Sequence, residues 1–411
     1  MQIHPILAAL RRHKAGTVLI ALQIALTLAI VCNALFIIHQ RIAHINEPSG
    51  VDEANLFVIQ NLWGEQYSTD QAVERIQEDV SALRNLSSVQ DVTAANSFPM
   101  RGGGWDNFIT MKPDQREPTT DASYYTGDSH FLSTIGAKLI AGRDFRPEEV
   151  VNMGLRQNVS PPVAIISKVM ADKLFPGGDA LGKSIYAMSS TPVTVIGIVD
   201  TLHRQDVSTW SAPYTGESMV VPIRIAQPWG LYYLVRAKPG QLDAAMRQAP
   251  KALYAENRMR IIDPKDGLLS FAQVRHRVFK SDRGMAILMG IICVVLLAIT
   301  GAGIVGLTSF WVGQRRKQIG VRRALGATHR DILHYFMTEN FLITVAGLLI
   351  GVLLTFGLNL WLVTHFDALK LMPLTYVLAG IVILVLLGQG AVFAPALRAS
   401  RVPPIEATRP A

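Results

Sequence analysis

QRRKQIGVRRALGATHRDILHYFMTEN, residues 314–340, is a strongly basic, helix-forming segment set between two long apolar runs. Arg315, Arg316, Lys317, Arg322, Arg323 and Arg330 load it with positive charge. Excess Lys and Arg marks the loops that stay on the cytoplasmic side of a membrane. The segment, bounded at 313–340, therefore predicts a cytoplasmic docking loop with a partner.

The apolar runs set the frame. Residues 17–38, 285–312, 341–363 and 374–394 contain no Asp, Glu, Lys or Arg, and about 20 apolar residues suffice to cross a hydrocarbon core of roughly 30 Å. A charge at the centre of such a helix costs about 2.5 to 3.5 kcal/mol on insertion scales, so four charge-free runs are not an accident of composition. The whole chain agrees, with 50% hydrophobic and only 17% charged residues. The fold class predicted is an α-helical membrane protein with four transmembrane helices and a large mixed α+β domain, residues 39–284, inserted between helices 1 and 2.

Flanking charge sets the orientation. Arg11, Arg12 and Lys14 precede the first run, the basic loop separates the second from the third, and Arg398, Arg401 and Arg409 follow the fourth. Both termini are expected in the cytoplasm, with a cytoplasmic tail over 395–411. Arg275, Arg277, Lys280 and Arg283 crowd the outer side of the second run, against the rule, although long translocated domains largely escape it. Ile3, Ile6, Leu7 and Leu10 give residues 1–16 one apolar helical face, as in a short helix lying in the membrane interface. The first run exceeds the roughly 7 to 15 residues of a signal core and no small-x-small site follows it, so it is expected to remain as an anchor.

The net charge of +8 clusters beside the spans, where topology and lipid headgroups account for it without nucleic acid. The two cysteines, Cys32 and Cys293, both fall inside spans. The outer domain therefore has no disulfide framework and must hold itself by an ordinary core, which its length allows. Strand patterns occupy 55–63, 88–96, 105–111, 163–166, 193–199, 219–225 and 231–237. A helix over 69–85 has Ser68 or Thr69 as N-cap and places Val73, Ile76, Val80 and Leu83 on one face. Another helix is expected over 241–257, and a helical run over 268–283 leads into the second span. Two subdomains follow, roughly 50–97 with 225–265, and 98–224.

GGDALGKS, residues 177–184, satisfies the phosphate-loop pattern. A phosphate loop needs a strand before it and a helix after it, so that backbone amides face the phosphates. This segment follows a helical string, SKVMADKLF, and runs into strand-like SIYAM, so it reads as a lysine-bearing turn. The histidines are scattered without an H-E-x-x-H pair, and no G-x-S-x-G elbow is present. No catalytic, cofactor-binding or metal-binding residue is assigned. Small residues within the spans are more informative: Ala298, Ala302 and Gly306 recur at i, i+4, i+8, and Gly347 and Gly351 form G-x-x-x-G. Such stripes let helices approach closely, within one subunit or across a dimer. Gln23 and Asn33 offer hydrogen bonds between helices.

One span, a large outer domain and three further spans, with IGVRRALGA (319–327), IGAKLIAGRDF (135–145), KLFPGGDALGKSI (173–185) and the tail PALRASRVPPIEATRP, resemble the MacB/FtsX-like permeases of ABC transport systems. The resemblance covers essentially the full chain. Family members usually carry Glu before the Ile-Gly pair and another a few residues earlier, where this chain has Gln318 and Gln314. The resemblance implies an ATPase-coupling segment comprising Arg315, Arg316, Gln318, Ile319, Gly320, Arg322, Arg323, Ala324, Gly326 and Ala327. It also implies a bacterial inner-membrane complex of two permeases, identical or paralogous, with two separate ATPase subunits that bind the ATP and Mg. A periplasmic adaptor and an outer-membrane channel are further implied partners. The chain itself is then no enzyme but a mechanical transmitter for efflux or export. Lipoprotein release, or FtsX-like regulation of a cell-wall hydrolase, shares the topology.

Overall fold

The computed structural model describes residues 14–65, 67–154, 159–187, 189–208, 214–226, 231–365 and 371–401. Most of the interfacial helix expected over 1–16, and the expected tail from residue 402 onward, lie outside the described residues. The chain forms two compact units: Met1–Ile45 with Ser281–Ala411, and Asn46–Lys280. The first opens with helix α1 (Lys14–Ile45), which outlasts its apolar run by more than a helical turn at the C-terminal end.

In the second unit an antiparallel sheet has the order β13-β1-β12-β2 with β14 also on β1. Its strands are β1 (Leu56–Trp63), β2 (Val89–Ala95), β12 (Leu231–Ala237), β13 (Arg260–Ile261) and β14 (Leu268–Ser270). Period-two alternation divides β1: Phe57, Ile59 and Trp63 enter one apolar core, and Val58 and Gln60 face the other side. Two helices cover the core face, α2 (Thr69–Arg84) and α5 (Leu242–Glu256). Ser68 caps α2 in a reciprocal capping box with Gln71, and Ile76, Val80 and Leu83 are buried with Val73 packed beside them. Asp79 on the same helix is also buried, because Arg260 donates to it at 2.7 and 3.0 Å and the Tyr233 hydroxyl at 2.6 Å.

The other sheet closes on itself. It runs β5-β9-β7-β10-β4-β3-β8 with β8 paired back to β9. The strands are β3 (Asp106–Thr110), β4 (Thr120–Thr126), β5 (Leu139–Gly142), β7 (Val163–Ser167), β8 (Ser184–Ala187), β9 (Pro192–Val199) and β10 (Ser218–Val221). Closure of the ring from β9 through β8 leaves only the short strand β5 with an unpaired edge among the described strands of this sheet. Helix α3 (Phe131–Ile135) precedes β5, and helix α4 (Lys168–Leu174) fills the core with Met170 and Leu174. Strand β4, TDASYYT, is buried along its whole length. Its Asp121 is tolerated there because fully buried Arg204 donates to the Asp121 carboxylate at 2.9 Å and to its backbone carbonyl at 2.8 Å. Burial raises the Asp106 carboxyl above its ordinary value, and nearby Asp121 and Asp206 add to the effect despite Arg204.

Two expectations are corrected here. The strand expected over 219–225 breaks at Pro222, which has no N–H to give a ladder. β10 stays in the closed sheet, and β11 (Ile223–Ala226) pairs in parallel with β6 (Val151–Gly154). The helical run expected over 268–283 begins as β14, whose Leu269 lies opposite Val58. Ser270 then caps α6 (Phe271–Val278) in a box with Gln273, and the helix is interrupted at Phe279. Two of the outer basic residues have partners within this unit. Arg275 donates to Glu53 and to the Glu47 carbonyl, and Arg277 pairs with Asp266 at 2.5 Å. Burial would lift the Glu53 carboxyl, but hydrogen bonds from Arg275 and Ser49 and the Arg275 charge hold it below its ordinary value.

The first unit resumes with α7 (Lys280–Gln314), the short α8 (Arg316–Ala324), α9 (His329–His365) and α10 (Leu374–Ser400). With α1, the three long helices among these are apolar and long enough to cross a membrane. Helices α1, α9 and α10 form the packed core through glycines. A Cβ on Gly347 would lie 2.7 Å from the Ala21 carbonyl oxygen, and one on Gly351 would lie 3.0 Å from the Ala25 Cα. Helix α7 is the least buried of the four.

Gly142 and Gly178 give a test of the closed sheet. Both have positive φ, +78° and +76°, but a Cβ at 142 would sit 2.1 Å from the Ile196 carbonyl oxygen whereas one at 178 meets nothing within 4 Å. Gly178→Ala is expected to cost about 1–2 kcal/mol from backbone strain alone, and Gly142→Ala distinctly more. Denaturant unfolding of the solubilised protein measures both, and equal losses would contradict the close approach at Gly142.

Candidate functional site

The basic segment owes its shape to a sequence of local rules. Arg, Lys and Gln favour helix over 316–324. The chain then turns at Gly326, φ +98°. Its N–H donates to the Arg323 carbonyl at 3.1 Å and the next N–H, of Ala327, to the Arg322 carbonyl at 3.0 Å. This is a Schellman ending, which needs a residue free to take positive φ. Thr328 immediately opens α9. Its backbone N–H donates to Asp331 at 2.9 Å, and its hydroxyl accepts from the Asp331 N–H at 3.3 Å. The string I-G-V-R-R-A-L-G-A-T-x-x-D is thus a helix, a stop and a restart.

The basic residues divide between two faces. Arg315 turns inward, and one of its guanidinium nitrogens donates to both Glu339 oxygens at 3.0 and 2.9 Å, with both side chains largely excluded from solvent. Arg323 donates to the Ser400 carbonyl at the end of α10 at 2.9 Å. The Arg322 guanidinium lies 4.8 Å from the centre of the Tyr335 ring. Ile319 and Gly320 are buried against the helical core.

Arg316, Lys317, Gln318, Val321, Ala324 and Leu325 are exposed. Among them Leu325 is 82% and Val321 48% accessible. Val321, Ala324 and Leu325 lie at i, i+3 and i+4, so they form one apolar strip edged by cations. Gly320 is buried, Ala324 exposed and Ala327 half-buried.

Helix α7 reaches this site along a line of polar contacts. Asp282 at one end accepts from Arg41 at 2.5 Å and faces His44 at 3.3 Å, the Thr300 and Thr27 hydroxyls meet at 2.8 Å, and Arg315 follows just past the other end. The small-residue stripes separate. Gly347 and Gly351 pack within the protomer against α1, whereas Ala298, Ala302 and Gly306 are exposed and a Cβ on Gly306 would meet nothing within 4 Å. Asn33 bridges helices, donating to the Thr355 carbonyl at 3.2 Å and accepting from Asn359 at 3.3 Å.

The Gly177–Ser184 segment has no phosphate-loop geometry. It follows α4 and enters strand β8 rather than a helix. Three of its amides are committed, Gly178 N–H to the Phe175 carbonyl at 2.9 Å, Gly182 N–H to the Val195 carbonyl at 2.8 Å and Lys183 N–H to the Ala180 carbonyl at 3.2 Å. Lys183 pairs with Asp179 at 3.3 Å on the surface.

Comparison with known proteins gives two family matches, a MacB-like periplasmic core domain over residues 17–252 and an FtsX-like permease C-terminal region over residues 290–404. The chain is similar to the uncharacterized ABC transporter permease YvrN of Bacillus subtilis, 25% identical over 304 residues, covering 71% of each chain. It is also similar to the macrolide export ATP-binding/permease protein MacB of Chromobacterium violaceum, 26% identical over 322 residues, covering 75% of this chain and 47% of that one. The chain thus spans about half the length of that relative. A crystal structure of the periplasmic region of MacB from Actinobacillus actinomycetemcomitans aligns with a TM-score of 0.35 at 15% identity, covering 57% of this chain and 97% of that one.

Removing one member of a buried ion pair strands the other. Glu339→Gln is expected to cost about 3–5 kcal/mol, whereas the double variant Arg315→Met, Glu339→Gln recovers most of it. Thermal unfolding in detergent checks this, and equal losses in both variants would show that Arg315 has another counter-charge.

Proposed function

The chain belongs to the family of permeases with a MacB-like periplasmic core domain and an FtsX-like C-terminal region, and from that premise we propose that it is the permease subunit of a MacB-type ABC export complex. Residues 46–280 face the periplasm, both termini and α8 face the cytoplasm, and a separate ATPase subunit binds ATP and Mg. The chain performs no hydrolysis. Closure of the ATPases pushes on α8, and the push passes through α7 to the outer domain, where an adaptor leading to an outer-membrane channel receives it.

One observation carries this reading. The strip of Val321, Ala324 and Leu325 stands exposed on a short helix whose opposite side is fixed by Ile319 and by the Arg315–Glu339 and Arg323–Ser400 contacts. A helix anchored on one face and apolar on the other suits insertion into a groove of a second protein. Its rigid seat lets movement of the groove displace α7 instead of bending a loop. Gln318 is exposed, so the departure from the family acid falls on the docking side, and recognition there relies on cations and apolar contact.

Leu325→Asp and Ala324→Trp alter only exposed positions. Each is expected to weaken capture of the ATPase subunit by at least about tenfold, or about 1.4 kcal/mol, with the permease still folded. Export should be lost in parallel. Normal assembly and export by both variants would remove this face from the coupling.

The exposed stripe on α7 supplies the seam with a second permease, since close helix approach in lipid is built on small residues. Gly306→Leu is expected to weaken dimerisation while leaving the protomer intact, and Gly347→Leu to disrupt the protomer itself. Disulfide cross-linking between single cysteines along α7, with Cys32 and Cys293 replaced by Ala, reports the seam. Cross-links that form elsewhere but not along α7 in an active complex would assign the stripe no part in the dimer.

A further inference from the structure

The face of β1 that turns away from the α2 and α5 core is only partly covered. Val58 and Gln60 alternate onto this face, and Tyr232 lies directly opposite Gln60 across the β1–β12 ladder. Helix α6 covers the face with Val274 and Val278, and between helix and sheet a pocket of about 330 Å³ remains, entirely within the 46–280 unit. Its lining is mixed: Phe98, Met100, Leu269 and the two valines of α6 stand beside the Tyr232 ring, and Gln60 and the rim charges supply the polar part. Phe98 meets Tyr232 edge-on at 5.2 Å between ring centres.

The loop carrying one wall is held in a costly conformation. Met100 is fully buried and has φ +61°, the one non-glycine residue with positive φ among the described residues. Such a backbone costs about 1–3 kcal/mol and persists only where its surroundings fix it. Here the Met100 N–H donates to the Arg204 carbonyl and the Gly102 N–H to the Gln205 carbonyl, both at 2.9 Å. The two clamps hold Arg101 out between them, its guanidinium 4.8 Å from the centre of the Tyr232 ring at the pocket rim. The other rim cation, Arg277, is neutralised by Asp266 at 2.5 Å. Arg101 forms no ion pair among the described residues; its guanidinium donates to the Gly103 carbonyl at 3.2 Å. The rim therefore carries one uncompensated positive charge beside the apolar surface of Tyr232, Leu269 and Val278.

We propose that this pocket binds a single-chain anionic amphiphile, its head paired with Arg101 and its alkyl chain laid along Tyr232, Leu269 and Val278. The volume lies at the small end of the range for ligand pockets, which suits one alkyl chain and excludes a two-chain lipid. A carboxylate, sulfate or phosphate monoester head satisfies the Arg101 fork. The site is independent of the coupling helix and of the ATPase.

The test uses the full chain in nanodiscs of zwitterionic lipid, titrated with radiolabelled dodecanoate and corrected against empty nanodiscs. Saturable binding near one equivalent per chain is expected. Arg101→Gln should weaken it at least tenfold, and Val278→Trp, at a half-buried position on the rim, should abolish it. Circular dichroism and melting temperature establish that each variant is folded. Dodecyltrimethylammonium, the same chain with a cationic head, should not compete. Absence of saturable dodecanoate binding, equal competition by the cation, or unchanged affinity in Arg101→Gln would each overturn the proposal. If Val278→Trp does not fold, the Arg101 variant and the cation decide alone.

Discussion

The buried pair of Arg315 and Glu339 fixes the point where α7 ends and the short helix α8 begins. Apolar packing cannot do this, because lipid tails compete equally well for an apolar helix surface. Helices α1, α9 and α10 meet this difficulty with glycine, which brings backbones within van der Waals contact at Gly347 and Gly351 and lets the Cys32 and Leu28 side chains of α1 rest on the α10 backbone at Gly380. Helix α7 has its small residues on an exposed side. Its attachment within the protomer joins the buried Ile304, Trp311 and Val312 to Asp282 with Arg41 and His44, the pair of threonine hydroxyls, and Arg315 with Glu339. Directional contacts at both ends and in the middle restrain a helix against sliding while leaving one face open.

That restraint gives α8 its character. Its buried side is set by Ile319 and by arginines that have partners, so the free charges and the apolar strip are left together on the other side. The Schellman ending at Gly326 and the Thr328–Asp331 box keep α8 short and separate from α9. On the proposed function this is what a coupling element requires, since a longer or looser helix would absorb a push as bending. The outer unit uses a parallel economy of buried charge. Arg204 and Arg260 each sit almost wholly within the protein, opposite Asp121 and Asp79, and tie strands to distant segments. Breaking either pair would leave an uncompensated charge in a core, a penalty of several kcal/mol.

Much of this was legible because it is local. Charge-free runs announce spans, alternation announces β9 and β12, and the 3.6 period with Ser68 ahead of it announces α2. The phosphate-loop look-alike was also resolved by its neighbours, a helix before and a strand after. Strand β4 was not legible, because TDASYYT is polar in composition and is made burial-competent by Arg204, 83 residues away. Strand β14 was hidden because three residues acquire strand geometry from β1 and have no pattern of their own. At the candidate site, the excess of basic residues was visible but their partition between faces was not. Glu339, one acid at the mouth of an apolar run beside a cluster of arginines, was the available signal that one of them would turn inward.

The central claim is that this chain carries movement from an ATPase to its outer domain. The most direct measurement is electron–electron double resonance between spin labels at exposed Lys238 in the two permeases of the assembled complex. The account predicts that the distance distribution shifts when ATP binds to the partner subunits and returns after hydrolysis. A distribution that stays fixed while the complex turns over ATP and exports its cargo would contradict it.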